Sequence, residues 1–326
     1  MTLIRSELIG FGHYLPAKVL TNDDMAKIVE TNDEWIRTRT GIQERHVAEE
    51  NETTSDIALI ASQNALKSAG IGAEDIDLVI VATITTDETT PSTAAKISGR
   101  LGTRSGCIAT DISAACSGFV YAMTMADNMI RLGQIKTALV IGAETLSKIT
   151  DWSDRNTCVL FGDGAGAVIL RATTGEGTAQ DRGVLATQLY ADGNHYEQLK
   201  TSGGVSSTQQ AGYLSMDGKE VFKFAVNALT QAAENVMEKV GVSSEDLDWL
   251  LPHQANIRII ENVGKKLNLP EEKVIVTIAH TANTSSATIP VALSEEISAG
   301  RIKKGDLVAL SAMGAGFTWG GALIRI

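Results

Sequence analysis

Apolar residues along the chain fall into two recurring patterns. Short unbroken runs at Leu78–Thr83, Ala138–Gly142, Ala165–Leu170, Trp249–Leu251, Leu307–Ser311 and Ala322–Ile326 have the length of strands buried on both faces. Between them lie longer stretches in which apolar residues return at helical spacing. Ser55 to Ser68 carries Ile57, Leu59, Ile60, Ala61, Ala65 and Leu66 on such a repeat, with Gly70 as its stop. Phe222 to Val240 reads the same way and closes at Gly241. Strands alternating with helices predict an α/β chain.

The two helical stretches look like copies. Aligning Gly70 with Gly241 matches Ala-Gly-Ile-Gly-Ala-Glu-Asp-Ile-Asp-Leu-Val-Ile to Val-Gly-Val-Ser-Ser-Glu-Asp-Leu-Asp-Trp-Leu-Leu. Further on, Leu132-Gly-Gln-Ile-Lys and its strand answer Ala299-Gly-Arg-Ile-Lys and its strand, and Gly166-Ala-Val-Ile-Leu answers Gly321-Ala-Leu-Ile-Arg-Ile. Three matches in one order read as an internal duplication, with halves at 1–175 and 176–326. Packed together, such halves bring equivalent loops to one central cleft.

Composition narrows the partners. With 28 basic against 39 acidic residues, a net charge of -11 argues against binding nucleic acid or an anionic membrane, so an acidic partner needs a local basic patch. Only five prolines in a chain that is 44% hydrophobic exclude a disordered, linker-rich protein. The three cysteines, Cys107, Cys116 and Cys158, show no metal-ligand spacing and suit a reducing cytosol. The opening Met1-Thr-Leu-Ile-Arg-Ser-Glu lacks the pattern of a secretory signal, and no apolar run nears the ~18 residues of a membrane span; a cytoplasmic location is expected.

Cys116, in Ala114-Ala-Cys-Ser-Gly-Phe, stands just before a helical pattern. A helix N-terminus lowers a thiol's pKa, which suits a nucleophile, although most lone cysteines are small buried hydrophobes. That plainer reading is taken for Cys107 and Cys158, which lie in apolar, strand-like runs. The offset of the second match carries Cys116 onto Asn283, whose bland role would be a helix cap. His253, in Pro252-His-Gln-Ala-Asn, ends a buried strand, the edge where α/β sheets carry ligands; a hydrogen-bonded core histidine is the alternative. Gly162-Asp-Gly-Ala-Gly and Met313-Gly-Ala-Gly-Phe-Thr-Trp-Gly run into strands and lack dinucleotide spacing; the second could lend a backbone N–H to an oxyanion hole.

Taken together, Ala-Ala-Cys-Ser-Gly-Phe, Pro-His-Gln-Ala-Asn, Asn-Thr-Ser-Ser-Ala and Gly-Phe-Thr-Trp-Gly closely resemble the β-ketoacyl-acyl-carrier-protein synthase III family, over essentially the whole chain. The resemblance implies a thiolase-like, five-layered αβαβα fold from two duplicated halves, a homodimer, and no permanently bound cofactor. It implies that Cys116 takes an acyl group from a short acyl-CoA, with the N–H groups of Cys116 and Ala315 holding the oxyanion. His253 and Asn283 would then stabilise the enolate formed when malonyl-acyl-carrier protein loses CO₂, giving a 3-oxoacyl-acyl-carrier protein and initiating type II fatty acid synthesis. By the same likeness Trp35 and Arg155 would sandwich the adenine of CoA with Thr31 and Arg39 beside them. Lys223, Arg258, Lys265 and Lys266, with Asn262, would meet the acidic carrier, and Thr90 would end the acyl pocket.

The chain departs from the family's usual pattern at Thr281, Ala282 and Ala315, where the family usually has Tyr, Gly and Gly, and at Lys219, where it often has Asn. An alanine at a position needing positive φ would be strained. Thr90, where many members carry an aromatic residue, predicts tolerance of starters longer than acetyl. Competing readings are a polyketide-type condensing enzyme, for which the chain is short; a two-histidine elongating enzyme, disfavoured by Asn283; a degradative thiolase, which needs a second late cysteine; a cysteine acyl-CoA hydrolase; and a non-catalytic paralogue.

Overall fold

The computed structural model describes residues 3–326; Met1 and Thr2, part of the opening segment read for a secretory signal, lie outside the described residues. The first sheet contains β1 (Leu3–Tyr14), β2 (Leu78–Ala82), β3 (Ile108–Ile112), β4 (Thr137–Thr145) and β5 (Asp163–Gly175), in the spatial order β1-β5-β4-β2-β3. Helices α1 (Thr54–Ala69), α2 (Thr93–Leu101) and α3 (Gly118–Arg131) connect them. The second sheet contains β6 (Gly183–Ala191), β7 (Trp249–Pro252), β8 (Leu307–Gly314) and β9 (Thr318–Arg325), in the order β7-β8-β9-β6. Its helices are α4 (Gly218–Val240), α5 (Ile257–Lys266) and α6 (Thr288–Ser298).

Side chains alternate across each strand, which explains why these runs are apolar throughout. Val79 and Val81 of β2 pack outward with Ile57, Ala61 and Ile97 of α1 and α2. Leu78, Ile80 and Ala82 pack inward with Phe119 and Met123 of α3, Ile289 and Leu293 of α6, and Val308 and Leu310 of β8. Leu307 and Ala309 of β8 face the other way, onto Leu229 of α4 and Ile260 of α5. The layers are therefore helices, sheet, the buried pair α3 and α6, sheet, helices.

The two sheets repeat one topology. β1-β5-β4-β2 runs antiparallel, antiparallel, parallel, and β6-β9-β8-β7 does the same. Repetition reaches the turns. α1 and α4 end on Gly70 and Gly241 with φ of 66° and 76°, the left-handed state that only glycine enters cheaply. Asp77 and Asp248, in the matched segments, bind the backbone at the start of β4 and β8. Where β3 stands in the first sheet, the second has, among the described residues, a bridge between Leu250 and Val274. A loop follows in each case: one carries Cys116 to α3, the other Asn283 to α6.

Several strands match none of the apolar runs, among them β1, β6 and a two-stranded hairpin. β1 hides its register because Arg5 and Ser6 are buried in hydrogen bonds to Asp181 and Asp127. β6 and the hairpin Lys18–Thr21 with Glu44–Val47 owe their existence to partners far along the chain. Neither spare cysteine lies in a strand: Cys107 is half-buried in a turn before β3, and Cys158 is buried in the turns after Asp151.

Candidate active site

An apolar cavity of about 120 Å³ lies where the two duplicated loops meet, lined by Cys116, His253, Asn283 and Ala315 together with Ile84, Leu146, Phe161, Leu199, Leu214 and Met216. Each polar group arrives on a different element. Cys116 sits in the turn Ala115–Ser117 leading into α3, with the preceding Ala115 held at a φ of 45°. His253 follows β7, its N–H donating to the Ser311 carbonyl of β8. Gln254 beside it spends both ends of its amide on the backbone of Pro252, Ile275, Thr277 and Ile278, and Asn256 caps α5. Gln254 thus builds the turn, while His253 and Asn256 both line the cavity.

Ser285, whose φ is 52°, lies among the three polar groups. Its N–H donates to Asn283 Oδ1 over 2.9 Å, which leaves the Asn283 NH₂ as a donor for the cavity. Its carbonyl accepts from Thr288 Oγ1, which also lies 2.7 Å from His253 Nδ1. Its hydroxyl donates to Glu144 Oε1 over 3.1 Å, and Ser285 lines the same cavity as Cys116. The sequence reading missed Ser285, Thr288 and Glu144, because hydroxyls and a lone carboxylate carry no spacing signature.

Electrostatics differ from the helix-terminus expectation. Cys116 opens onto the cavity but is otherwise enclosed, and burial pushes its thiol up to about 12, helped by the neighbouring Glu144 charge; only the Ser285 hydrogen bond and the local backbone pull down. Burial is the largest of these influences. Burial likewise takes His253 down to about 3, so the imidazole is neutral. One Thr288 proton faces two acceptors: given to Nδ1, it leaves Nε2–H as a donor; given to Ser285, it leaves Nε2 as an acceptor.

The loop after β8 closes the site. A Cβ on Gly314 would lie 2.6 Å from the Cys116 nitrogen, so glycine allows this strand end to touch the cysteine turn. Ala315 follows, outside the positive-φ region, so the strain considered for it is absent; its carbonyl accepts from Thr318, and among the described residues its N–H has no acceptor. Ala282, by contrast, does adopt φ 55°.

A second groove, about 480 Å³, shares Leu160, Phe222 and Asn256 with the cavity and leads outward past Trp35, Arg39, Lys219, Lys223 and Arg258. The Arg39 and Arg155 guanidinium carbons each lie 4.5 Å from the Trp35 ring centre, so both arginines already stack on the indole, and a flat base would have to displace or extend that stack. Thr31 Oγ1 is buried with no partner. Arg258, Asn262, Lys265 and Lys266 follow one face of α5, and Lys266 reaches Asn227 on α4, one turn beyond Lys223. Lys223 and Lys265 are shared with Glu220 and Glu261. Thr90 is exposed and does not line the cavity of the single chain, whose wall includes Ile84 and residues of the segment 199–216.

Five layers built from two repeated halves around a half-buried cysteine and a buried histidine and asparagine define a thiolase-type condensing enzyme. Family models described as 3-Oxoacyl-acyl-carrier-protein (ACP) synthase III and its C terminal match residues 110–193 and 237–326. The β-ketoacyl-acyl-carrier-protein synthase III of Rhodospirillum centenum is 56% identical, covering 99% of both chains. The solved 3-oxoacyl-acyl-carrier-protein synthase III of Aquifex aeolicus is 48% identical with a TM-score of 0.91, covering 98% of this chain and 100% of its own. That of Pseudomonas aeruginosa is 41% identical with a TM-score of 0.92, covering 98% of each. The chain belongs to the β-ketoacyl-acyl-carrier-protein synthase III family and is an acyltransferase.

Proposed function

We propose that this enzyme initiates fatty acid synthesis by condensing a short acyl group, delivered by acyl-CoA, with malonyl-acyl-carrier protein through an acyl thioester on Cys116. The observation that carries the reading is the convergence of Cys116, His253 and Asn283 on one cavity wall, where Ser285 joins the asparagine directly and the histidine through Thr288. The thiol adds to the acyl-CoA carbonyl, whose oxygen takes the Cys116 and Ala315 N–H groups as charge develops. CoA departs. Malonyl-carrier protein then places its thioester oxygen against the Asn283 NH₂ and His253 Nε2–H, the tautomer available when Thr288 donates to Nδ1. Both donors are strongest where the enolate forms, so decarboxylation is assisted and the enolate carbon attacks the Cys116 thioester.

Acyl-CoA is a substrate, and no resident cofactor is needed. Its nucleotide end would lie at Trp35, Arg39, Arg155 and Thr31, where the orphaned Thr31 hydroxyl awaits a partner. The acidic carrier would dock on Lys223, Arg258, Lys265 and Lys266, which border the groove mouth or continue from it along α5. We assign the halves to 1–175 and 176–326, since β5 ends at Gly175 and β6 starts at Gly183. A homodimer in the cytoplasm completes the reading; among the described residues no helix is long and apolar enough to cross a membrane.

Half-reactions test these roles. Cys116→Ala should abolish transfer of radiolabelled acyl groups from acyl-CoA, whereas His253→Ala should still be labelled but release no CO₂ from malonyl-carrier protein. Equal loss of both half-reactions in both variants would contradict the division of labour.

A further inference from the structure

Glu144, at the inner end of β4, is wholly buried, and the mechanism above does not use it. Five groups surround its carboxyl. Oε2 accepts from Thr85 Oγ1 at 2.8 Å, the Ile84 N–H at 3.1 Å and Thr83 Oγ1 at 3.2 Å. Oε1 faces the hydroxyls of Ser286 at 3.0 Å and Ser285 at 3.1 Å. Ser286 also lies 2.8 Å from the Ala82 carbonyl and has only one proton. When that proton goes to Ala82, Ser286 can accept from Oε1–H, so the pocket accommodates the neutral acid as well as the carboxylate. No cation is paired with Glu144 among the described residues.

We propose that Glu144 holds the Cys116 proton for the lifetime of the acyl-enzyme, receiving it through the Ser285 hydroxyl. This rests on Cys116 being the nucleophile. In acylation the Cys116 S–H proton passes to Ser285 Oγ as the Ser285 proton passes to Glu144 Oε1. The thiolate attacks the acyl-CoA carbonyl, the bond from that carbon to the CoA sulfur breaks, and CoA leaves as a thiolate that takes a proton from water. In condensation the enolate carbon bonds to the acyl carbon, the bond to the Cys116 sulfur breaks, and the relay runs backward to restore the thiol and the carboxylate. Two physical demands are met together. A buried thiol gains an acceptor within reach, and the malonyl carboxylate enters beside a neutral acid instead of a second buried anion. Glu144 acts through Ser285 and is a positioning residue for the proton.

Other titratable groups near this network are few. Cys116 faces it from the turn before α3, and His253 meets Ser285 through Thr288. Asp163 starts the adjacent β5 but is engaged by Ser147 and Ala48. Strand-end residues 83–85 and the turn 285–287 present hydroxyls and a backbone N–H.

Two measurements test the proposal. Iodoacetamide alkylation of Cys116 should accelerate with pH up to about 7, where the buried Glu144 ionises, and then level off, because each further thiolate is made by internal transfer. In Glu144→Gln, whose amide preserves the neutral acid's hydrogen bonds, the plateau should vanish and the rate should climb tenfold per pH unit. Infrared difference spectra at pH 8, acyl-enzyme minus free enzyme, should gain a protonated-carboxyl band that is lost in Glu144→Gln. Should that variant not fold, Ser285→Ala, which leaves Glu144 its other donors, should lose the same band. A plateau persisting in Glu144→Gln, or no new band in a fully acylated parent, would overturn the relay while leaving the nucleophile intact. A parent that takes no acyl group on Cys116 would instead remove the reading beneath it.

Discussion

Ala282 shows how a single substitution can be tolerated at a demanding position. The residue precedes Asn283 with φ 55° and ψ -163°, a conformation that costs an L-residue roughly 1–3 kcal/mol. Its methyl is fully buried, which returns about 0.8 kcal/mol, and alanine avoids about 0.5–1 kcal/mol of glycine backbone entropy. These opposing effects nearly cancel. Ala282→Gly should therefore change unfolding free energy in urea by no more than about 1 kcal/mol; a destabilisation above about 2 kcal/mol would mean the turn is unstrained. Cys116 teaches the complementary lesson. Its place before α3 was legible from the sequence, but the sign of its pKa shift was not, because enclosure depends on what the second half of the chain puts around it.

At the scale of elements, strands buried on both faces and helices closed by glycine were legible because burial and chain reversal each demand particular residues locally. Gly70 and Gly241 mark the ends of α1 and α4 in the sequence itself. β1 and β6 were not legible. Their stability comes from long-range ladders and from buried pairs such as Arg5 with Asp181, whose residues look like solvent-facing charges in one dimension. The meeting of β8 with the cysteine turn yields a further expectation. Gly314→Ala would force its Cβ against the Cys116 nitrogen and Ala115 Cβ, separating the two N–H groups that would share an oxyanion. The fold should survive, judged by circular dichroism, while acyl transfer slows by roughly tenfold or more, given that displacements near 1 Å cost about 10². Unchanged transfer would show that Ala315 lies outside the oxyanion site.

For the whole molecule, β3 leaves one long side of the first sheet unpaired, with Ile108 and Thr110 exposed along it. Such an edge invites a second strand, and a two-fold axis beside β3 would join two copies into one continuous sheet. Ile108→Lys should then convert the dimer to monomer in sedimentation velocity without loss of helix content. A parent that sediments as a monomer at micromolar concentration would remove the homodimer from the proposal. Duplication, alternating strands and helices, and the pairing of Cys116 with Asn283 were all written in the sequence, because repeats and periodicity survive projection onto one dimension. The tertiary structure alone decided that Ser285 joins Asn283 to His253 beside Cys116, that Glu144 stands behind it with no cation among the described residues, and that Thr90 is exposed. Those facts depend on which hydroxyl meets which carboxylate across more than a hundred residues of chain, and on what excludes water from them.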